Sequence, residues 1–171
     1  MPRKEWLVGA FILVLLAGLS LVWLAPPPGE PAPEVRFNVL DGEPIALDSM
    51  RGEPVLIQFW ATDCTTCVSE MPDLIALHNT LDAEGLNLIG VAMDYDPAER
   101  VRRLVARKAL PYTIALDDGG AIADAFDNVR VTPTTVLIGA DGRVIWQRIG
   151  KLDFERLGEE IAREIAKGNT A

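Results

Sequence analysis

Pro54-Val55-Leu56-Ile57-Gln58-Phe59-Trp60 runs straight into Ala61-Thr62-Asp63-Cys64-Thr65-Thr66-Cys67. The first seven residues are a continuous apolar run of strand length, broken only by Gln58, which is the pattern of a central strand buried on both faces. Residues 64–82 then carry a helical pattern, so the C-x-x-C stands where a strand hands over to a helix. A thiol at that point faces unpaired backbone N–H groups and the positive end of the helix dipole, and both favour a thiolate. One turn of helix lets the two sulfurs meet, so Cys64 reads as an attacking nucleophile. Two other uses of such a pair compete. Half of a zinc site needs a second pair of ligands, and the single histidine, His78, lies eleven residues beyond Cys67, about 16 Å along the same predicted helix. A purely structural disulfide across so tight a loop would constrain little unfolded-chain entropy. His78 itself reads as a surface helix residue.

Outward from this centre the chain alternates short β-branched runs with longer amphipathic ones. Residues 34–40 and 44–47 flank Asp41-Gly42-Glu43, a hairpin turn. Residues 86–93 read as a strand, and 97–108 as a helix with Asp96 as its N-cap. A strand at 113–116, a helix near 120–126, a strand at 135–139, the turn Asp141-Gly142, a strand at 143–149 and a helix at 154–167 complete the order. Strand, helix, strand, helix, strand and hairpin imply an α/β fold with a mixed central sheet flanked by helices. Arg100, Arg102, Arg103, Arg107 and Lys108 read as a solvated helix face.

The length of 171 residues leaves room for one core, and 49% apolar with 24% charged residues excludes a disordered or fibrous chain. Two cysteines are too few for a disulfide scaffold. A net charge of −9 argues against nucleic acid as a partner. Arg3 and Lys4 precede residues 6–25, which hold no charge; as a helix this run is about 30 Å long, the thickness of a bilayer's hydrocarbon core. Trp6 and Trp23 stand near its ends, and the preceding charges favour a cytoplasmic amino terminus. We expect residues 1–25 to be an uncleaved membrane anchor, with a cleaved signal peptide, cut at Gly18-Leu19-Ser20, as the competitor. Pro26, Pro27, Pro28, Pro31 and Pro33 make residues 26–33 a semi-rigid spacer, which leaves 34–171 as the folded domain.

Residues 34–167 resemble the membrane-anchored thioredoxin-like proteins of the TlpA/ResA type, which are extracytoplasmic thiol-disulfide oxidoreductases. The likeness is carried by Phe59-Trp60-Ala61-Thr62 before the cysteines, Glu70-Met71-Pro72 after them, and Val131-Thr132-Pro133-Thr134-Thr135 leading into 136–142. Pro72 follows Cys67 by five residues and Pro133 by 66, an interval with room for the strand and helix this group adds to plain thioredoxin. The resemblance implies that Cys64 attacks and Cys67, more buried, resolves. It implies a cis bond before Pro133, with the backbone of Thr132 presented to an extended substrate, and an acidic side chain, Glu70, beside the cysteines. It implies electrons from a membrane thiol carrier, no cofactor, and exported disulfide substrates such as apocytochrome c or copper-site assembly factors. The place implied is a single-pass inner-membrane protein with its domain in the periplasm or otherwise outside the cytoplasm.

Four residues depart from thioredoxin. Asp63 replaces the tryptophan before the first cysteine, Thr65-Thr66 stand where a proline is usual, and Gln58 occupies the place of the buried acid. With that acid missing, Glu70 becomes the expected proton acceptor. Asp63 is expected to raise the Cys64 pKa and so favour reductase work. Two rival functions remain at this level: a copper-carrying chaperone for respiratory oxidase assembly, which needs a nearby histidine or methionine ligand, and a peroxiredoxin, whose attacking cysteine has a threonine three residues earlier, where this chain has Ala61.

Overall fold

The computed structural model describes residues 29–169 together with Leu13, Leu15 and Leu16. The rest of the apolar run with its competing cleavage site, and Pro26-Pro27-Pro28, lie outside the described residues. Among the described residues no helix is long and apolar enough to cross a membrane. In chain order the elements are β1 (Arg36–Val39), β2 (Ile45–Ala46), β3 (Val55–Trp60), α1 (Thr65–Leu81), β4 (Asn87–Ala92), α2 (Ala98–Lys108), β5 (Thr113–Leu116), α3 (Ala121–Ala125), β6 (Thr134–Ile138), β7 (Val144–Ile149) and α4 (Phe154–Gly168). They agree with the sequence pattern to within a residue or two at each end.

Seven strands form one sheet in the order β2-β1-β5-β4-β3-β6-β7. β3 runs parallel to β4 and β4 to β5, while β6 and β7 return antiparallel. All six residues of β3 are buried, because helices cover both faces of the sheet beside it. Alternation splits them. Leu56 and Trp60 pack with Met71, Leu74 and Leu77 of α1, Val101 and Leu104 of α2, and Leu157 and Ile161 of α4. Val55, Ile57 and Phe59 turn the other way, onto Phe37, Ile89, Val91 and Phe126. Gln58 shares the parity of Leu56 and Trp60, so its amide points to the α1 side. At Gly90 a Cβ would stand 3.1 Å from Trp60 Nε1 and 3.1 Å from Ile114 Cδ1, so the indole occupies the room a side chain would need.

Four local expectations change. Asp96 does not cap α2: the N-cap is Pro97, which has no side-chain acceptor, and the Asp96 carboxylate is engaged elsewhere. His78 is half-buried, not a solvated surface residue. It shares the stripe of Leu74, Leu77 and Leu81, so its ring lies edge-on to Tyr112 at 6.2 Å between centroids, with Nδ1 3.5 Å from Asp82 Oδ1. Arg102 leaves the solvated face to donate to Leu40 O at 3.1 Å and to Asp41 at 3.3 Å, tying α2 to the β1–β2 turn; Arg100, Arg103, Arg107 and Lys108 are exposed. The end of the proline-rich stretch does not stand free. Val144 N–H donates to Glu30 O at 2.9 Å, Ala32 N–H to Gly142 O at 3.0 Å, and Arg143 Nη1 to Gly29 O at 2.7 Å, so this segment is laid along the start of β7.

Candidate functional site

β3 ends at Trp60, and a tight turn closed by Cys64 N–H donating to Ala61 O at 3.2 Å delivers the chain into α1. Cys64 is the N-cap of that helix. Its backbone is extended, at φ −79° and ψ 100°, and its sulfur accepts from Cys67 N–H at 3.2 Å. Cys64 and Cys67 are joined in a disulfide with their Cα atoms 5.3 Å apart. Cys67 is fully buried while Cys64 is partly exposed. The helix leaves the first thiol at the rim and turns the second into the α1 side of the core.

Glu70 follows one turn later. It is fully buried, not solvated: Oε1 accepts from Leu152 N–H at 2.7 Å and Oε2 from Gln58 Nε2 at 3.3 Å. Burial pushes its pKa up, and the Leu152 donor and the nearby Lys151 offset this in part. Thr135 stands directly across from Gln58 in the β3–β6 register, and its buried hydroxyl has no hydrogen-bond partner among the described residues. A polar patch therefore lies within the core, with Glu70 one helical turn past Cys67.

Thr132–Pro133 is a cis peptide, as the resemblance implies. Pro133 is buried and Thr132 half-buried. Gly150 N–H donates to Pro133 O at 2.8 Å, and Thr134 Oγ1 to Val131 O at 2.6 Å. Thr134 pairs with Phe59, so this loop flanks the end of β3 from which the cysteine turn departs. Val131 and Ile149, the latter opposite Thr134, expose 53% and 69% of their surface on this side, giving the rim an apolar border. Asp63 is exposed.

Asp96 is the site residue the sequence did not reveal. It stands past the end of β4, where an acid before a helix looks like a cap. Its carboxylate instead accepts from both the N–H and the hydroxyl of Thr62, at 2.5 and 2.8 Å. The one available signal is topological: Trp60 pairs with Ala92, so the segments that follow these two strands emerge side by side. Among the described residues no three His, Cys, Asp or Glu side chains converge as metal ligands.

The redoxin family model matches residues 27–161. The thiol-disulfide oxidoreductase ResA of Halalkalibacterium halodurans is 33% identical over 133 residues, 78% of this chain and 74% of its own length. ResA of Geobacillus kaustophilus is 31% identical over 174 residues, 94% of this chain and 99% of that one. A thiol:disulfide interchange protein of the thioredoxin family from Chlorobium tepidum superposes with a TM-score of 0.74 at 23% identity, over 82% of this chain and 99% of its own, a likeness of fold.

Proposed function

The chain belongs to the redoxin family and is a thiol-disulfide oxidoreductase of the ResA type with a thioredoxin-like fold, and from that premise we propose that it is a membrane-anchored, extracytoplasmic reductase of disulfides in exported proteins. The observation that carries this is the asymmetry of the pair: Cys64 partly exposed at a helix start, Cys67 fully buried behind it.

In the reduced enzyme the Cys64 thiolate, held by the Cys67 N–H and the helix terminus, attacks one sulfur of a substrate disulfide. A Cys64–substrate disulfide forms and the first substrate thiolate leaves. Cys67 then loses its proton to the Glu70 carboxylate and attacks the Cys64 sulfur, releasing the second substrate thiolate and closing the Cys64–Cys67 disulfide. Two electrons pass to the substrate, and a membrane dithiol donor returns them. A carboxylate made more basic by burial suits the acceptor role. The Thr132 backbone before Pro133 pairs with the extended substrate strand, and no cofactor takes part. Apocytochrome c, reduced before haem attachment, and copper-site assembly factors are the substrates of choice. Residues 1–25 anchor the domain on the outer side of the inner membrane through the proline-rich stretch, whose end is laid along β7.

The peroxidase alternative is disfavoured, because Ala61 offers no hydroxyl and that of Thr62 is engaged by Asp96. The test compares oxidised apocytochrome c with copper. Rapid reduction of the former by the dithiol form is expected; tight one-to-one copper binding at Cys64 and Cys67 with slow disulfide reduction would make the protein a chaperone. A mature amino terminus near Leu21, measured by mass spectrometry, would overturn the anchor.

A further inference from the structure

We infer that Asp96 is a positioning residue for Cys64: its carboxylate clamps the turn before the cysteines so that the Cys64 sulfur stays in front of the Cys67 N–H while the disulfide is open. This rests on the proposal that Cys64 is the attacking thiol.

Asp96 is 7% exposed and reaches across from the segment after β4. Both carboxylate oxygens serve one residue, Thr62, which gives its backbone N–H to Oδ2 at 2.5 Å and its hydroxyl to Oδ1 at 2.8 Å. Two donors on the two oxygens of one carboxyl group fix a peptide in both position and orientation. Asp96 is itself fixed: its N–H donates to Met93 O at 3.0 Å, and Met93 N–H to Trp60 O at 3.0 Å. The result is a closed ring of hydrogen bonds around Ala61. Thr62 lies within the turn that Cys64 N–H closes on Ala61 O, so the clamp ends two residues from the sulfur. Asp96 meanwhile leaves the α2 N-cap to Pro97, which has no side-chain acceptor, although acids are favoured at that position. The carboxylate has gone to the cysteine turn and not to its own helix.

The clamp matters in the reduced state. The disulfide holds Cys64 in place when closed; once it opens, the Cys64 sulfur depends on the backbone to remain where Cys67 N–H meets it, 3.2 Å away in the oxidised form. A thiolate that drifts from that donor is less stabilised and less well aimed.

The experiment is alkylation of the reduced full chain by iodoacetamide across pH, with each cysteine followed separately by mass spectrometry. In the wild type Cys64 reacts first; preferential reaction of Cys67 would refute the assignment of the attacking thiol, independently of the clamp. Thr62→Val removes the hydroxyl donor without changing charge or bulk. It is expected to slow Cys64 alkylation at neutral pH about tenfold and to raise its pH midpoint. Thr62→Ser should restore both. Asp96→Ala should match or exceed the loss in Thr62→Val, and if it does not fold the Thr62 pair decides alone. A wild-type rate and midpoint in Thr62→Val, even with a lower melting temperature, or a Thr62→Ser variant as slow as Thr62→Val, would overturn the inference.

Discussion

Gln58 and Glu70 are hydrogen-bonded inside the domain, Nε2 to Oε2 at 3.3 Å, with both side chains buried. The contact joins the strand that leads to Cys64 with the helix that carries Cys67. It follows from two periodicities: Gln58 faces α1 because alternate residues of β3 do, and Glu70 faces the sheet because it follows the buried Cys67 by one turn. An amide donor where thioredoxins have an acid leaves Glu70 as the acid of this face of the core.

Glu70 makes stability depend on pH in a stated direction. Unfolded, the carboxyl titrates near its ordinary value of 4.5; folded, burial raises it. Between the two the native state holds a proton that the unfolded state has lost, so the stability gained from protonated Glu70 is complete below pH 4.5 and is lost as pH rises through the raised value. Glu70→Gln removes this titration and keeps an acceptor for Leu152 N–H. Melting temperatures of the two oxidised proteins, compared from acid to neutral pH, should diverge in favour of the variant. A constant difference across that window would contradict the assignment.

The chemistry separates the two thiols. Cys64→Ser should abolish disulfide reduction, and Cys67→Ser should accumulate substrate mixed disulfides through Cys64, because nothing remains to resolve them. Glu70→Gln should leave the first attack intact and slow the resolving step by on the order of 10². Quenched-flow trapping followed by non-reducing separation measures all three, and equal trapping by both cysteine variants would contradict the order of attack.

The elements and the cysteine pair were legible in the sequence because they depend on local pattern: the apolar run of β3, the alternation after it, and a C-x-x-C at a helix start. That Cys67 is the more buried of the pair was implied by the family resemblance, and Cys64 proves to be the N-cap of α1 and not its first helical residue. The polar contacts of Glu70 were not legible, since Leu152 is 82 residues away and Gln58 lies on another element. Asp96 was misread for a related reason. Local chemistry favours a cap, and only strand pairing brings Thr62 within reach. His78 failed through its helical stripe, which places a polar residue among Leu74, Leu77 and Leu81.

The amino-terminal segment at β7 offers a separate test. Gly29 has φ +103°, and a Cβ there would fall 2.8 Å from the Val144 carbonyl oxygen, so any side chain strains the backbone and displaces the strap. Gly29→Ala should speed hydrogen exchange at Ala32 and Val144, the two amides that hold the strap, while Cys67 N–H keeps its protection. Unchanged exchange at Ala32 and Val144 would show that the strap tolerates the side chain.

Asp63 is the charged residue next to Cys64, and its exposure limits what it can do. Its carboxylate opposes a Cys64 thiolate, whereas the helix terminus stabilises one by about 0.3–1 kcal/mol at an exposed site. In water, two charges about 4 Å apart repel by about 1 kcal/mol. The two effects are therefore of similar size, and the carboxylate contribution is the one salt removes. Raising a thiol's pKa destabilises the reduced form near neutral pH and makes the couple more reducing, by about 30 mV for each 1.4 kcal/mol. Asp63→Asn should then lower the Cys64 pKa and move the Cys64–Cys67 potential upward, by no more than about 20 mV at low ionic strength. At about 1 M salt, where the screening length falls to about 3 Å, the two proteins should converge. Glutathione redox titration of both forms at the two salt concentrations makes the comparison; a downward shift in the variant, or a shift that salt leaves untouched, would show that Asp63 acts on the cysteine by some means other than its charge.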